Sequence, residues 1–452
     1  MSEIGQRLVS LDVFRGITIA GMVLVNNPGT SPVYWPLEHA EWHGLTPTDW
    51  IFPFFLFIVG VSIAISVGRN PTGREGAVGR SASYRRIFTR AASIYLLGAA
   101  ISILPFFQFQ ATNAPDPLKM LIWATFCAAL FFLLVRNYKV AAALAILALL
   151  GIAGMNLAGY NVVAYNYGTM RIFGVLQRIA VCYLVTSLIF LHTTWKQQCG
   201  IAVALLLGYW LIMTTIPVPG CEITSISDKA CNLAAYLDRL ILTENHIWRG
   251  GKVYDPEGIL STIPAIVTTI SGVLTGTWLL KGDRSQVTGD ETVNLSLVTI
   301  NSSLEKANGL FGFGTILLAL GLIWNSYFPM NKALWTSSYV LATTGLALLV
   351  LGACYWLIDI KGYRRWAKPF EIFGVNALAL FVFTGFFARM LSAYRVTGPD
   401  GQLIPVGRWI VNNIYLPILN PIDASLMYAV SFILLWLFLM WLLYRKRIFV
   451  KV

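Results

Sequence analysis

His39–Gly60 reads HAEWHGLTPTDWIFPFFLFIVG. Its first half is a polar loop holding two histidines, Glu41 and Asp49. Its second half is apolar enough to begin a membrane helix. Titratable groups therefore stand at the mouth of a hydrocarbon-embedded segment, where charge is costly and is kept when it has a use. A blander reading is an interfacial anchor. In it Trp35, Trp42 and Trp50 lie at headgroup level and the polar residues face water. The pattern alone leaves both readings open.

The rest of the chain has the same apolar character. Of its 452 residues, 57% are hydrophobic and 12% charged, where a soluble domain carries about 25% charged residues. This is the composition of an integral membrane protein. The N-terminus, MSEIGQRLVSLD, is polar and runs into a helix containing Asp12 and Arg15 without a small-residue cleavage site. The first apolar segment is therefore expected to remain as a membrane helix. A net charge of +12 would suit a nucleic-acid partner. The basic residues cluster between apolar segments instead, as orientation in a membrane requires.

A spanning helix needs about 20 mostly apolar residues. Twelve such segments are expected, at 10–28, 47–68, 84–104, 118–135, 138–156, 172–191, 198–216, 257–280, 308–327, 333–358, 371–391 and 424–444. The expected fold is all-α, a polytopic transmembrane bundle forming one domain over 1–452. The fourth and fifth segments are joined by a tight turn around Asn137. Val406–Pro417 is too short to span and is expected to lie at the interface or re-enter. Leu233–Leu242, LAAYLDRLIL, has helical spacing and reads as a short surface helix.

Loop charge sets the orientation. The second-to-third connection holds Arg69, Arg74, Arg80, Arg85, Arg86 and Arg90 against Glu75, and is assigned to the cytoplasm. Alternation then places there Arg136, Lys139, Lys196, the polar 281–307 loop with Lys281 and Arg284, Lys361, Arg364, Arg365, Lys368, and the tail Arg445, Lys446, Arg447 and Lys451. Both termini fall on that side. The His39–Asp49 loop, the 156–171 loop, the 218–256 loop and the 392–423 loop fall outside.

Several polar groups could carry chemistry. Asp12 and Arg15, three apart, share a helix face as a self-neutralising pair or an anion contact. Asp49 or Thr48 could cap the second helix. A carboxylate at Asp49 could instead fix the tautomer of an imidazole, and spacing does not choose between His39 and His43. Gln177 and Arg178 lie in the sixth segment, and a buried arginine there needs an acidic or phosphate partner unless it snorkels. Asp255, Pro256 and Glu257 read as the opening of the eighth helix, as Lys368, Glu371 and Asn376 do for the eleventh. Cys221 and Cys231 share one loop, and an extracytoplasmic position allows a disulfide between them. No metal cluster, Gly-rich phosphate loop, GxSxG or HExxH is present in the sequence.

Taken together, RLVSLDVFRGITIAGMVLVNN, HAEWHGLTPTDWIFPFFLFIVG, RIFGVLQRIAVCYLV, NLAAYLDRLIL, YDPEGILSTIPAI, NKALWTSSYVL, PFEIFGVNALALFVF and YRKRIFVKV resemble the heparan-α-glucosaminide N-acetyltransferases and their bacterial relatives, within the YeiB-like membrane acyltransferases. The resemblance implies acetyl transfer from acetyl-CoA, as co-substrate, to the amine of a glucosamine or terminal glucosaminide. It puts His39 on the family's active-site histidine, and Asn26 and Asp49 on its polar neighbours. His39 would act as general base or acetyl carrier, Asp49 would orient it, and Asn26 would donate to the acetyl oxygen. Arg178 and Asn376 fall on further family positions along the CoA path. Arg15, Arg86, Arg90 and Gln177 are expected beside them, with Arg85 adding to the basic group. Acceptor contacts are expected from His43, Trp42, Asp255 and Glu257.

The resemblance also points to a homodimer in a bacterial inner membrane, with no metal. Three features depart from it. Position 43 is His where Asn is expected, Thr384 stands where a second histidine is expected, and the helix pair at 118–155 reads as an insertion. No luminal domain precedes the first helix, so a long glycan acceptor is not expected. Two other functions fit the bare pattern, an amino-sugar transporter and an O-acyltransferase acting on envelope glycans.

Overall fold

The computed structural model describes residues 8–68, 77–281, 295–398 and 401–450. Among them, 11 helices are long and apolar enough to cross a membrane, or 12 if one bent pair counts as a span. The helices are α1 (Val9–Asn26), α2 (Ile51–Gly68), α3 (Ala77–Ile103), α4 (Asp116–Leu134), α5 (Tyr138–Leu157), α6 (Val175–His192), α7 (Trp195–Thr215), α8 (Leu233–Leu242), α9 (Thr262–Lys281), α10 (Leu295–Trp324), α11 (Ser337–Cys354), α12 (Lys368–Val375), α13 (Ala377–Ala393), α14 (Val406–Ile410) and α15 (Pro421–Arg445). The chain forms two compact units. One holds Met1–Thr18, His39–Leu96 and Arg171–Glu371, and the other holds Ile19–Glu38, Leu97–Met170 and Ile372–Val452.

In the first unit α2 lies directly on α9. A Cβ at Gly60 would stand 2.0 Å from the Thr269 carbonyl oxygen, and one at Gly272 would stand 2.0 Å from that of Phe57. Only glycine allows backbones this close, and in lipid such packing replaces the hydrophobic drive that water would supply. Gly276 meets Ala64 and Val61 further along, so α2 and α9 run parallel. On α6, Arg178 reaches Gly258 and Ser261 just before α9, while His192 and Thr277 line one cavity at the other end. Hence α6 is parallel to both. The starts of α2, α6 and α9 share one end of this unit. Antiparallel α10 and α11 pack through Gly314, Gly321 and Gly345.

In the second unit, Arg136 at φ 63 and Asn137, whose side chain accepts from the Val140 N–H, make the α4–α5 turn. Leu121, Leu133, Ile146, Leu147 and Leu150 are exposed on that hairpin, as lipid-facing side chains should be. A two-stranded ribbon, β1 (Arg395–Thr397) with β2 (Leu403–Pro405), precedes α14.

Some local expectations are corrected. The segment at 371–391 is not continuous, because α12 and α13 meet at an 82° bend. Asn376 at that bend holds the N-cap position of α13, but its side chain makes no capping bond. Its side chain donates to the Ile448 carbonyl at 3.1 Å and accepts from the Val450 N–H at 2.8 Å. The stretch expected as a connector from 281 to 307 is helical from Leu295 onward. Its Ser, Thr and Asn residues each weaken a helix by only tenths of a kcal/mol, too little to end one. Asp255 and Glu257 do not open a helix, since α9 starts at Thr262. Arg69, Arg74, Glu75, Arg284 and Lys451 lie outside the described residues.

Candidate active site

The site is built on the turn that leads into α2. Thr46 precedes a 3-10 turn at Pro47–Trp50, with Asp49 as its third residue. One carboxylate oxygen of Asp49 accepts from the Ala40 N–H at 3.1 Å, the Thr46 N–H at 3.1 Å and the Thr46 hydroxyl at 3.0 Å. The other lies 2.7 Å from His39 Nδ1. The Tyr339 hydroxyl donates to the Asp49 backbone carbonyl at 2.7 Å. Neither Thr48 nor Asp49 is the cap, since Thr46 holds that position. Four donors on one carboxyl group suit the ionised form.

The two histidines differ in their partners. The Asp49 side chain is 1% exposed, and that of His39 is 50% exposed. A buried carboxylate holding Nδ1–H leaves Nε2 with a free lone pair, directed away from its anchor. His43 has no carboxylate. Its Nε2 lies 3.1 Å from Ser227 Oγ, and its Nδ1 is 3.5 Å from Asn331 Nδ2. Burial lowers the His43 pKa below the ordinary imidazole value.

Lys332 completes the cluster. Its Nζ is 2.9 Å from His39 Nδ1, 3.3 Å from His39 Nε2 and 3.5 Å from Asp49 Oδ1. Burial lowers its pKa, although the charges of Asp49 and Glu257 pull the other way. Nothing in the local pattern singles out Lys332, Thr46 or Tyr339. The one available signal for Lys332 is a lone cation between two apolar helices on the face that loop charge leaves poor in lysine and arginine.

Beside this cluster lie acids and aromatic rings. Arg171 bonds both Asp255 and Glu257 through its guanidinium. Burial opposes ionisation of Glu257, but Arg171 and Arg178 outweigh it and hold the carboxyl below its usual range. Asp238 on α8 accepts from the Ile259 N–H at 2.9 Å, and burial pushes its pKa up to about 6. Trp42 and Tyr254 meet edge to face at 5.0 Å between ring centres, and Trp248 meets Tyr254 at 5.9 Å. Trp42 Nε1 donates to the Ile226 carbonyl at 3.0 Å. Cys221 and Cys231 are disulfide-bonded, so the loop that grips Trp42 and His43 is closed at its base.

The remaining expected residues are more scattered. Arg15 bonds Asp12 at 3.0 Å and Ser62 Oγ at 3.1 Å. Arg86 is exposed on α3, and the Arg90 guanidinium lies 5.2 Å over the Tyr183 ring. Gln177 is buried on α6. Arg178 is wholly buried, bonds Ser261 and the Gly258 carbonyl, and lies 5.1 Å over the Trp335 ring. Asn26 ends α1, exposed, in the second unit, which also holds Asn376.

Residues 7–165 match the family model described as heparan-alpha-glucosaminide N-acetyltransferase, catalytic. The heparan-alpha-glucosaminide N-acetyltransferase of Homo sapiens is 27% identical over 428 residues, covering 84% of this chain and 53% of its own length. That of Mus musculus is 26% identical over 420 residues, covering 83% and 53%. The chain thus spans about half the length of the curated relatives it matches.

Proposed function

Starting from this chain's relationship to the heparan-α-glucosaminide N-acetyltransferase family, we propose that it moves acetyl from acetyl-CoA to the amine of a glucosamine or terminal glucosaminide. The carrying observation is the 2.7 Å contact between His39 Nδ1 and Asp49, inside the stretch that the family model matches. Amine attack on a thioester needs a deprotonated amine and an oriented carbonyl, while thiolate leaves readily. His39 Nε2 takes the amine proton, or attacks first and carries the acetyl group as an acyl-imidazole. Asp49 fixes the ring for either route.

The donor is elongated and anionic. Arg15 sits beside Ser62, and Asp49 to Ser62 spans about 20 Å at 1.5 Å per residue. Arg90 lies over Tyr183, about 7.5 Å along α6 from Arg178 at 1.5 Å per residue. We assign the donor's phosphates to the Arg15, Arg86 and Arg90 end, with Gln177 and Arg178 along its course. Its acetyl end then meets His39 at the opposite end of α2. The acceptor approaches past Trp42, His43, Asp255 and Glu257, from the face that loop charge places outside the cytoplasm. The termini then lie on the cytoplasmic face.

Purified protein given acetyl-CoA and glucosamine should release CoA and form N-acetylglucosamine, and His39→Gln should not. No CoA release with any amino sugar sinks the proposal. CoA release without amine, with acetyl label retained on protein and lost in His39→Gln, selects the acyl-imidazole route.

A further inference from the structure

The contact between Lys332 and His39 has no part in the proton transfer just described. Its geometry is nonetheless restrictive. The Nδ1 hydrogen is committed to Asp49, so Nδ1 has no lone pair for a lysine N–H despite the 2.9 Å approach. With Nε2 at 3.3 Å, Nζ stands beside the imidazole, well off the line of the Nε2 lone pair, which points away from Nδ1. At rest, Lys332 therefore stands against the ring while leaving open the Nε2 lone pair that the reaction needs. A lysine nitrogen keeps N–H donors in either protonation state, so this position always presents a donor.

We propose that Lys332 is a catalytic residue whose Nζ, held beside the His39 ring, donates to the acetyl oxygen and stabilises the charge that grows there. The inference rests on the acetyl-transfer reading. When the donor's carbonyl reaches the His39 ring, its oxygen comes within reach of the Nζ–H donors. The amine nitrogen then bonds to the carbonyl carbon, and the C=O pair moves onto oxygen opposite Nζ. The amine proton passes to Nε2. Collapse breaks the C–S bond, and the proton on Nε2 goes to the departing thiolate, giving acetamide and CoA. The acyl-imidazole route forms the same oxyanion twice, so Lys332 serves it equally. Asp49, 3.5 Å from Nζ, keeps the lysine from swinging away. Glu257 contributes a more distant negative charge.

Removing one preorganised oxyanion donor typically lowers kcat about 10²- to 10³-fold. Lys332→Met should show that loss in kcat with little change in KM for the amino sugar. Lys332→Arg, which keeps N–H donors, should recover part of it. The decisive readout is the dithioester analogue of acetyl-CoA, with sulfur replacing the carbonyl oxygen. Wild type should discriminate strongly against it, and Lys332→Met should lose most of that discrimination. Should Lys332→Met fail to fold, Lys332→Gln carries the same comparison. Wild-type-like kcat in Lys332→Met, or unchanged oxygen-over-sulfur discrimination in the folded variant, overturns the proposal. If wild type turns over and His39→Gln does not, that failure belongs to Lys332 alone. If wild type never releases CoA, the acetyl-transfer reading falls with it.

Discussion

At the scale of single residues, Asp49 holds two jobs that the sequence pattern presents as alternatives. It closes the turn before α2 through Thr46 and Ala40, and it grips His39. Asp49→Asn should therefore cut acetyl transfer about 10²- to 10⁴-fold, the usual range for positioned acid–base catalysis, and should also lower the melting temperature. Turnover within threefold of wild type would remove Asp49 from the mechanism. Asp238 gives a prediction with a different sign. Its folded pKa is pushed up to about 6 from the ordinary 3.8, so the folded protein keeps a proton that the unfolded chain loses. Stability from this group should fall as pH rises from about 4 to 6 and be flat above that, by roughly 3 kcal/mol in all. Asp238→Asn should flatten that limb of a melting-temperature profile in detergent. An unchanged slope would show that Asp238 is ionised throughout.

At the scale of elements, the parallel packing of α2 and α9 is the most sensitive feature. Gly272→Ala would drive a methyl against the Phe57 carbonyl oxygen, a rigid backbone atom. It should cost about 1–3 kcal/mol or more and reduce activity as α2 shifts. Gly154→Ala on α5, with nothing within 4 Å of the added methyl, should stabilise by about 0.5–1 kcal/mol. Thermal denaturation of the pair reads both signs, and equal shifts would sink the close-contact account. The apolar runs made nearly all the spanning helices legible. The α12–α13 bend was not, because Asn376 answers to Ile448 and Val450, more than 70 positions away. The contact of Lys332 with His39 was not legible for the same reason. Its partners lie nearly 300 positions upstream, and no local period marks it. The His39–Asp49 contact was open to a sequence reading because the two are close in sequence, and it was the resemblance rather than the spacing that pointed to His39.

At the scale of the whole molecule, loop charge predicts which face lies outside the cytoplasm. Tyr167 and Trp195 are both exposed and fall on opposite sides of that assignment. With an impermeant thiol reagent on intact cells, Tyr167→Cys should label and Trp195→Cys should not. The reverse pattern would invert the orientation and place the His39 loop in the cytoplasm. The Cys221–Cys231 link adds a chemical counterpart. Denatured protein should show four free thiols without reductant. Reduction in the native state should raise KM for the acceptor more than it lowers kcat, because the loop that it frees holds Trp42 and His43 rather than His39.

The double use of Asp49 also has a bearing on how the protein fails on warming. The hydrogen bonds that wind the first turn before α2 are the ones that aim the imidazole. Fraying of that single turn would abolish the proposed acetyl transfer while every membrane helix stayed in place. Activity lost on mild heating should then return at once on cooling, with helical circular dichroism unchanged throughout. On the acetyl-transfer reading, activity would act as a local thermometer for four residues and read little of the bundle that carries them.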